Sequence, residues 1–268
     1  MNKEISNLIF KLSDPQLIEA DIISWGSPIL SFGNYEKSKI ATLGINPSNK
    51  EFVDNQNNEL KANKRRFHTL TSLNINSWSE INDDHISIIK NSFNEYFNIN
   101  PYDNWFKKLD YLISGSSYSY YFPSGEACHL DLVPFATNSK WSELSSEQKK
   151  CLLNIGANFL GKIIENSEIE IIILNGQTVI DNLIKISNVN LHKEIQDDWR
   201  LNRKLSNGVK GFSYSGSLNK IGNIKLKKVI KIYGFNHNIQ SSFGVTKKVQ
   251  SSIRSWLSKE ISKHFYEL

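Results

Sequence analysis

Apolar and polar positions divide the chain into alternating strand-like and helix-like segments. The run Ile40, Ala41, Leu43 and Ile45, interrupted only by Thr42, predicts a central strand over 39–45, covered on both faces. "ACHLDLVPF" (127–135) predicts a second strand and "EIEIIILNG" (168–176) a third. "GVKGFSYSG" (208–216) and "KKVIKIYGFNHN" (227–238) predict two more. Between them lie helical periods. Residues 4–24 predict one or two short helices broken at Asp14-Pro15, and 83–99 and 103–113 carry apolar residues at helical spacing. Residues 145–165 open with a capping pattern, Ser145 and Gln148, and a short helix starts near Thr178. The segment 246–265 is amphipathic, with Val249, Ile253, Trp256, Leu257 and Ile261 on one face. Residues 49–64 are polar and predict a loop.

Strands alternating with helices imply an α/β fold: a three-layer sandwich with a central, mostly parallel sheet flanked by helices. No linker divides the chain, so one domain over 1–268 is expected. In a parallel sheet the carboxyl ends of the strands share one edge, where ligands bind. Four polar or turn-forming segments follow strands there: "NPSN" (46–49), "PFATN" (134–138), "NGQT" (175–178) and "GFNHNIQSS" (234–242).

Composition narrows the chemistry. The formal charge of +5 permits a nucleic-acid partner without requiring one. Two cysteines, Cys128 and Cys151, cannot by themselves hold a cluster or a structural zinc, and read as reduced thiols. No signal peptide or membrane span is evident, so a cytoplasmic protein without a membrane partner is expected. No obligate protein partner is evident either. GxGxxG, GxxxxGK[ST] and GxSxG are all missing, which disfavours a phosphate-binding glycine loop and a serine nucleophile elbow. His129 and Asp131 share one face of a strand and could ligate a metal, but no second carboxylate cluster stands at the other strand ends. The remaining equipment is neutral: Asn46, Asn138, Asn175, Asn236, His237 and Asn238. Such groups suit holding a water and hydrogen-bonding a flat heterocycle.

"LGINPS" (43–48) resembles the first motif of the uracil-DNA glycosylase superfamily, in the form carried by mismatch-specific uracil/thymine glycosylases, Gly-Ile-Asn-Pro-Gly. "RRFHTL" (65–70) is similar to their following Asn-Arg-Phe segment, "HLDLVPFATN" (129–138) to the base-reading strand, and "IIILNG" (171–176) to a later core strand. "GFNHNIQSSFG" (234–244) falls where the family has a His-Pro-Ser or Asn-Pro-Ser loop. The likeness covers roughly residues 38–262. Two departures stand out: no proline follows His237, and Ser48 replaces the usual glycine.

The resemblance implies a monofunctional DNA glycosylase without metal or cofactor, acting on a base flipped out of DNA. No lysine lies in the four strand-end segments to supply lyase chemistry. Carried over, the catalytic residues are Asn46, which would orient the attacking water, and His237, which would donate to the base carbonyl. Phe67 would stack on the base, and Asp131, Ser48 and Asn238 would contact it. Arg65, Arg66, Gln240, Ser241, Ser242 and Lys247, with Lys248, are the expected DNA contacts. Where uracil-reading relatives carry an asparagine, this chain has Asp131. A carboxylate only accepts hydrogen bonds, which favours the 4-amino group of a cytosine-type base, and hence a modified cytosine of the kind found in phage DNA. Superfamily members range from repair enzymes to defence enzymes, so uracil or mismatch repair is the alternative. A non-catalytic nucleic-acid-binding relative and a metal-dependent nuclease using His129 and Asp131 remain as rivals.

Overall fold

The structure, a computed structural model, describes residues 2–203 and 206–266. Six strands form one sheet: β1 (Ile40–Gly44), β2 (Ala127–Asp131), β3 (Ile171–Asn175), β4 (Leu191–Arg203), β5 (Ser206–Ile221) and β6 (Ile224–Phe235). Their order is β2-β1-β3-β6-β5-β4. β2, β1, β3 and β6 run parallel, and β6, β5 and β4 continue as an antiparallel meander. The sheet is therefore mostly parallel and flanked by helices, the α/β sandwich that the alternation of strands and helices predicts.

The parallel half is central because its strands are apolar throughout. Every residue of β1 and β3 is buried, which only a strand covered on both faces tolerates. Helix Ser146–Glu165 packs on β5 and β6 and against helix Gln177–Ser187, while helices Asp103–Ile113 and Lys247–Tyr266 pack together. The Ser145 cap on the first of these helices is realised as a reciprocal capping box with Gln148.

β4 is the element that the apolar pattern does not announce. Its sequence, LHKEIQDDWRLNR, is largely exposed and buries only Trp199 and Leu201. The strand forms because β5 offers a long partner and Trp199 anchors its outer end. The indole lies edge-on to Trp256, centroids 5.4 Å apart, and donates to Ser252 Oγ at 3.1 Å. β5 and β6 are longer than their apolar cores because a two-residue turn, Gly222-Asn223, joins them directly, with Gly222 at φ +54°.

The four strand-end segments do come together. Because β1, β2, β3 and β6 are parallel, their carboxyl ends emerge at one edge. Among the described residues no helix is long and apolar enough to cross a membrane.

Candidate functional site

A cavity of about 170 Å³ opens at that edge, lined by Gly44 to Ser48 from the end of β1, His129 and Asp131 from β2, Asn175 from β3 and Asn238 from the loop after β6. An apolar cavity of about 150 Å³ takes up one benzene molecule, so this one has room for a single six-membered ring. Aromatic side chains form much of the remaining wall: Phe32, Tyr102, Trp105 and Phe106.

Asn46 stands where β1 gives way to Pro47. Its Nδ2 donates to Thr137 Oγ1 at 3.0 Å and to the Pro47 carbonyl at 3.1 Å. Both contacts hold the amide nitrogen, so the Oδ1 atom, which takes no hydrogen bond among the described residues, is the free acceptor. Thr137 is itself fixed by donating to the Ser139 carbonyl at 2.8 Å.

Asp131 ends a buried polar chain. Tyr120, Thr42 and His129 are linked in sequence, with Thr42 Oγ1 2.7 Å from His129 Nδ1. His129 Nε2 lies 3.4 Å from Asp131 Oδ1. One proton arrangement gives each hydroxyl hydrogen a partner: Tyr120 donates to Thr42, Thr42 donates to Nδ1, and the Nε2 hydrogen points to Asp131. The rings of Phe32, Trp105 and Phe106 crowd His129, with centroids 4.9–5.4 Å away. The pair exists because Gly44 is Asp131's neighbour across the β1–β2 ladder and carries no side chain to fill the space.

Sequence reasoning passed over one cavity residue with distinct chemistry, Glu51. Ser48 caps a 3₁₀ turn over Asn49–Glu51, its hydroxyl accepting from Lys50 N at 3.2 Å. That turn delivers Glu51 to the cavity wall, where the residue is only 3% exposed. Tyr96 donates to Glu51 Oε2 at 2.9 Å, and Arg66 Nε lies 3.9 Å from the same oxygen. Burial pushes the carboxyl up to about 7. The Arg66 charge and the Tyr96 bond oppose the rise and the nearby Asp131 adds to it. The spacing Ser48-x-x-Glu51 has the form of a capping box. That signal could have drawn attention to Glu51, although the side chain turns inward instead of back to Ser48.

Several expected site residues lie elsewhere. Phe67 does not reach the cavity: it is 1% exposed, stacked on Tyr96 at 5.2 Å and edge-on to Phe32, so it stands behind the wall as core. The aromatic side chains that do line the cavity are Phe32, Tyr102, Trp105 and Phe106. His237 does not line the cavity either. It is buried against β4, its Nε2 donating to the Trp199 carbonyl at 2.7 Å, and burial lowers its pKa. The loop thus turns its histidine toward β4. Asn238 does line the cavity, while its Oδ1 accepts from the backbone of Gln240 and Ser241, both at 3.0 Å.

The expected DNA contacts also divide. Arg66 is spent internally, donating to the Asn100 carbonyl at 3.0 Å and the Lys50 carbonyl at 2.6 Å beneath Tyr102. Gln240 bridges Asn175 Nδ2 at 2.7 Å and the Trp105 carbonyl at 3.2 Å, tying the last loop to the cavity wall. Ser241 and Lys247 are exposed, Ser48 is exposed at the mouth, and Arg65 and Ser242 are half-buried. Two grooves carry basic side chains, the first of them sharing Ile45 and Asn238 with the cavity wall. One holds Lys149, Lys150 and Lys185 with Trp141, Asp181 and Asn238. The other is lined by Arg200, Arg203, Lys248 and Phe243 with Asp197 and Asp198. Phe243, 80% exposed beside the Arg203 guanidinium, is the most prominent apolar group of the last loop.

Among the described residues no three His, Cys, Asp or Glu side chains gather as a metal-binding group. No family model matches the chain, and no curated protein shows significant similarity to it.

Proposed function

We propose that this protein is a monofunctional DNA glycosylase that hydrolyses the N-glycosidic bond of a flipped-out, cytosine-type pyrimidine and leaves an abasic site. The observation that carries the reading is the amide of Asn46. Its nitrogen is held by Thr137 and the Pro47 carbonyl and the residue lines a one-ring cavity, which would leave its carbonyl oxygen as the acceptor for a water hydrogen. A water oriented there is placed to attack the anomeric carbon as the base departs, and a preset polar group of this kind needs no rearrangement during reaction.

Asp131 supplies the base preference. One carboxylate oxygen faces the His129 N–H, and the other is available to accept from an exocyclic amine. The aromatic wall would stack the ring and exclude water. A cavity of about 170 Å³ holds the pyrimidine alone, so a large substituent on position 5 would project through the mouth between Ser48 and Asn238. The lysine groove that shares Ile45 and Asn238 with the cavity would carry the phosphates. No lysine lines the cavity among the described residues, and the reaction is therefore written as hydrolysis rather than strand-cleaving lyase chemistry.

Mass spectrometry of free bases released from several DNAs tests the reading: uracil-containing, mismatched, and carrying hydroxymethylated or glycosylated cytosine, each with and without chelator. Release of a modified cytosine, indifferent to chelator, is expected. Release of uracil alone would move the assignment to repair. Chelator-sensitive strand cleavage without free base would make the protein a nuclease, and binding without release would make it a non-catalytic DNA-binding protein.

A further inference from the structure

We propose that Glu51, the second carboxyl group of the cavity, is the general acid that protonates the departing pyrimidine. This rests on the glycosylase reading and adds a chemical step to it. Asn46 and Asp131 supply only acceptors to the cavity, whereas breaking the glycosidic bond leaves an electron pair on the base. The anion of a cytosine-type base is a stronger base than that of uracil and departs less readily, so a proton delivered to its ring oxygen or nitrogen lowers the barrier.

The surroundings of Glu51 fit a donor. The side chain is sealed in the wall, with Tyr96 on Oε2 and no hydrogen bond to Oε1 among the described residues. Three groups face it. Tyr96 comes from the short helix Tyr96–Ile99, Arg66 from the segment after the 3₁₀ turn Ala62–Lys64, and Asp131 from the end of β2. Arg66 is the only cation among them. At 3.9 Å, with Nε and Nη1 already committed to two backbone carbonyls, it does not form a close pair with the carboxylate. Burial and the neighbouring Asp131 therefore outweigh it and favour the protonated acid near neutrality. Two carboxyl groups in one small cavity would thus take opposite parts: Asp131, 3.4 Å from His129 Nε2, would accept from the base, and Glu51 would donate to it.

The step balances. The C1′–N1 bond breaks with its electron pair going to the base, and the Glu51 proton passes to that base, which leaves neutral. The water on Asn46 adds its oxygen to C1′ and releases one proton, which restores Glu51 through solvent. No oxidant, reductant or further reactant is needed.

Single-turnover base release across pH, for the parent and Glu51→Gln, tests the step. Glutamine keeps the volume and can still accept from Tyr96, but holds no transferable proton. The parent rate should fall as pH rises through about 7, and Glu51→Gln should lose about 10²–10⁴-fold and lack that alkaline fall. A 5-fluorinated cytosine, whose anion leaves more readily, should recover most of the loss. A variant within about threefold of the parent, with the same pH profile, overturns the step and leaves the glycosylase reading standing. If the parent releases no base from any DNA, both fall. A measurement on the unmutated protein needs neither activity nor a folded variant. Carbon-detected NMR titration of the glutamate carboxyls should show Glu51 titrating near neutrality, and a midpoint in the ordinary glutamate range overturns the step.

Discussion

Gly44 and Asp131 are partners across the β1–β2 ladder, and a methyl group on Gly44 would overlap the Asp131 carboxylate and come within 2.9 Å of His129 Nε2. The glycine of the "GINPS" motif is therefore explained by space, not by backbone conformation. Gly44→Ala should fold, because β1 geometry suits alanine, but should displace the His129–Asp131 pair. A displacement of about 1 Å at a reacting site can cost about 10²-fold in rate. Base-release kinetics beside a thermal melt would check this. Unchanged kinetics would show that the pair plays no part in the reaction.

Asn46→Ala removes the acceptor for water and frees Thr137 without opening the core, since the side chain is only part-buried at the cavity rim. Base release should drop by about two to three orders of magnitude, with DNA affinity within a few-fold of the parent. Fluorescence anisotropy on the same oligonucleotides separates the two effects. Near-normal turnover would remove Asn46 from the mechanism.

The Glu51 carboxyl also leaves a mark on stability. Its folded pKa of about 7 lies above the ordinary 4.5. Between those values the folded chain keeps a proton that the unfolded chain has released. The contribution of Glu51 is full below about 4.5 and is lost as pH rises to about 7, by about 3 kcal/mol. Burial lowers His68 to about 4 and also lowers His237, so on the acid side of about 6.5 the unfolded chain gains protons that the folded one resists, and stability falls again. Thermal melts of Glu51→Gln should match the parent near pH 5 and exceed it at pH 8. Parallel curves at both pH values would mean that Glu51 is not buried as an acid.

DNA contacts should separate by where each cation is spent. Arg65→Ala with Lys247→Ala should weaken binding alike on all sequences and reduce the salt slope by about one per lost phosphate contact. Arg66→Ala should instead lower the melting temperature, because its guanidinium holds two backbone carbonyls and the neighbourhood of Glu51. Equal effects from both kinds of variant in a salt titration would contradict this division.

The parallel half of the sheet was legible because Ile40–Ile45 and Ile171–Leu174 are apolar on both faces, a pattern that burial alone dictates. From it the convergence of four polar segments at one edge followed. β4 was not legible: an exposed strand carries no apolar period, and Trp199 finds its place only through Trp256 and Ser252, more than fifty residues on. β4 also took His237 out of the expected site, since the Trp199 carbonyl accepts from its Nε2. Amides misled for a related reason. Asn236 and Asn138 satisfy backbone groups, the former accepting from Phe212 N and the latter donating to the Asp21 and Ile22 carbonyls, and a strand-end asparagine with that duty looks in sequence like one facing a ligand. Glu51 was hidden by the opposite effect, since a glutamate in a polar run reads as solvated surface until Ser48 turns it inward.

Asp131 offers the sharpest test of what the cavity would read. Its side chain is 5% exposed, and the one group paired with it among the described residues, His129, faces a single oxygen. A uracil placed here would turn its O4 carbonyl toward a carboxylate and leave both acceptors unmatched, a cost of about 1–3 kcal/mol. A cytosine-type ring would turn its 4-amino group there and satisfy both. Asp131→Asn supplies an amide that can donate to O4 while its carbonyl oxygen can stay toward His129 Nε2, so the buried chain from Tyr120 through Thr42 need not break. The variant should gain uracil release and lose about tenfold or more on the cytosine derivative, the ratio moving with the hydrogen-bond mismatch. Competition between the two bases in one reaction, read by mass spectrometry, reports that ratio directly. A parent enzyme that prefers uracil, or a variant whose preference does not move, would mean that Asp131 serves His129 alone and the base is read by another wall.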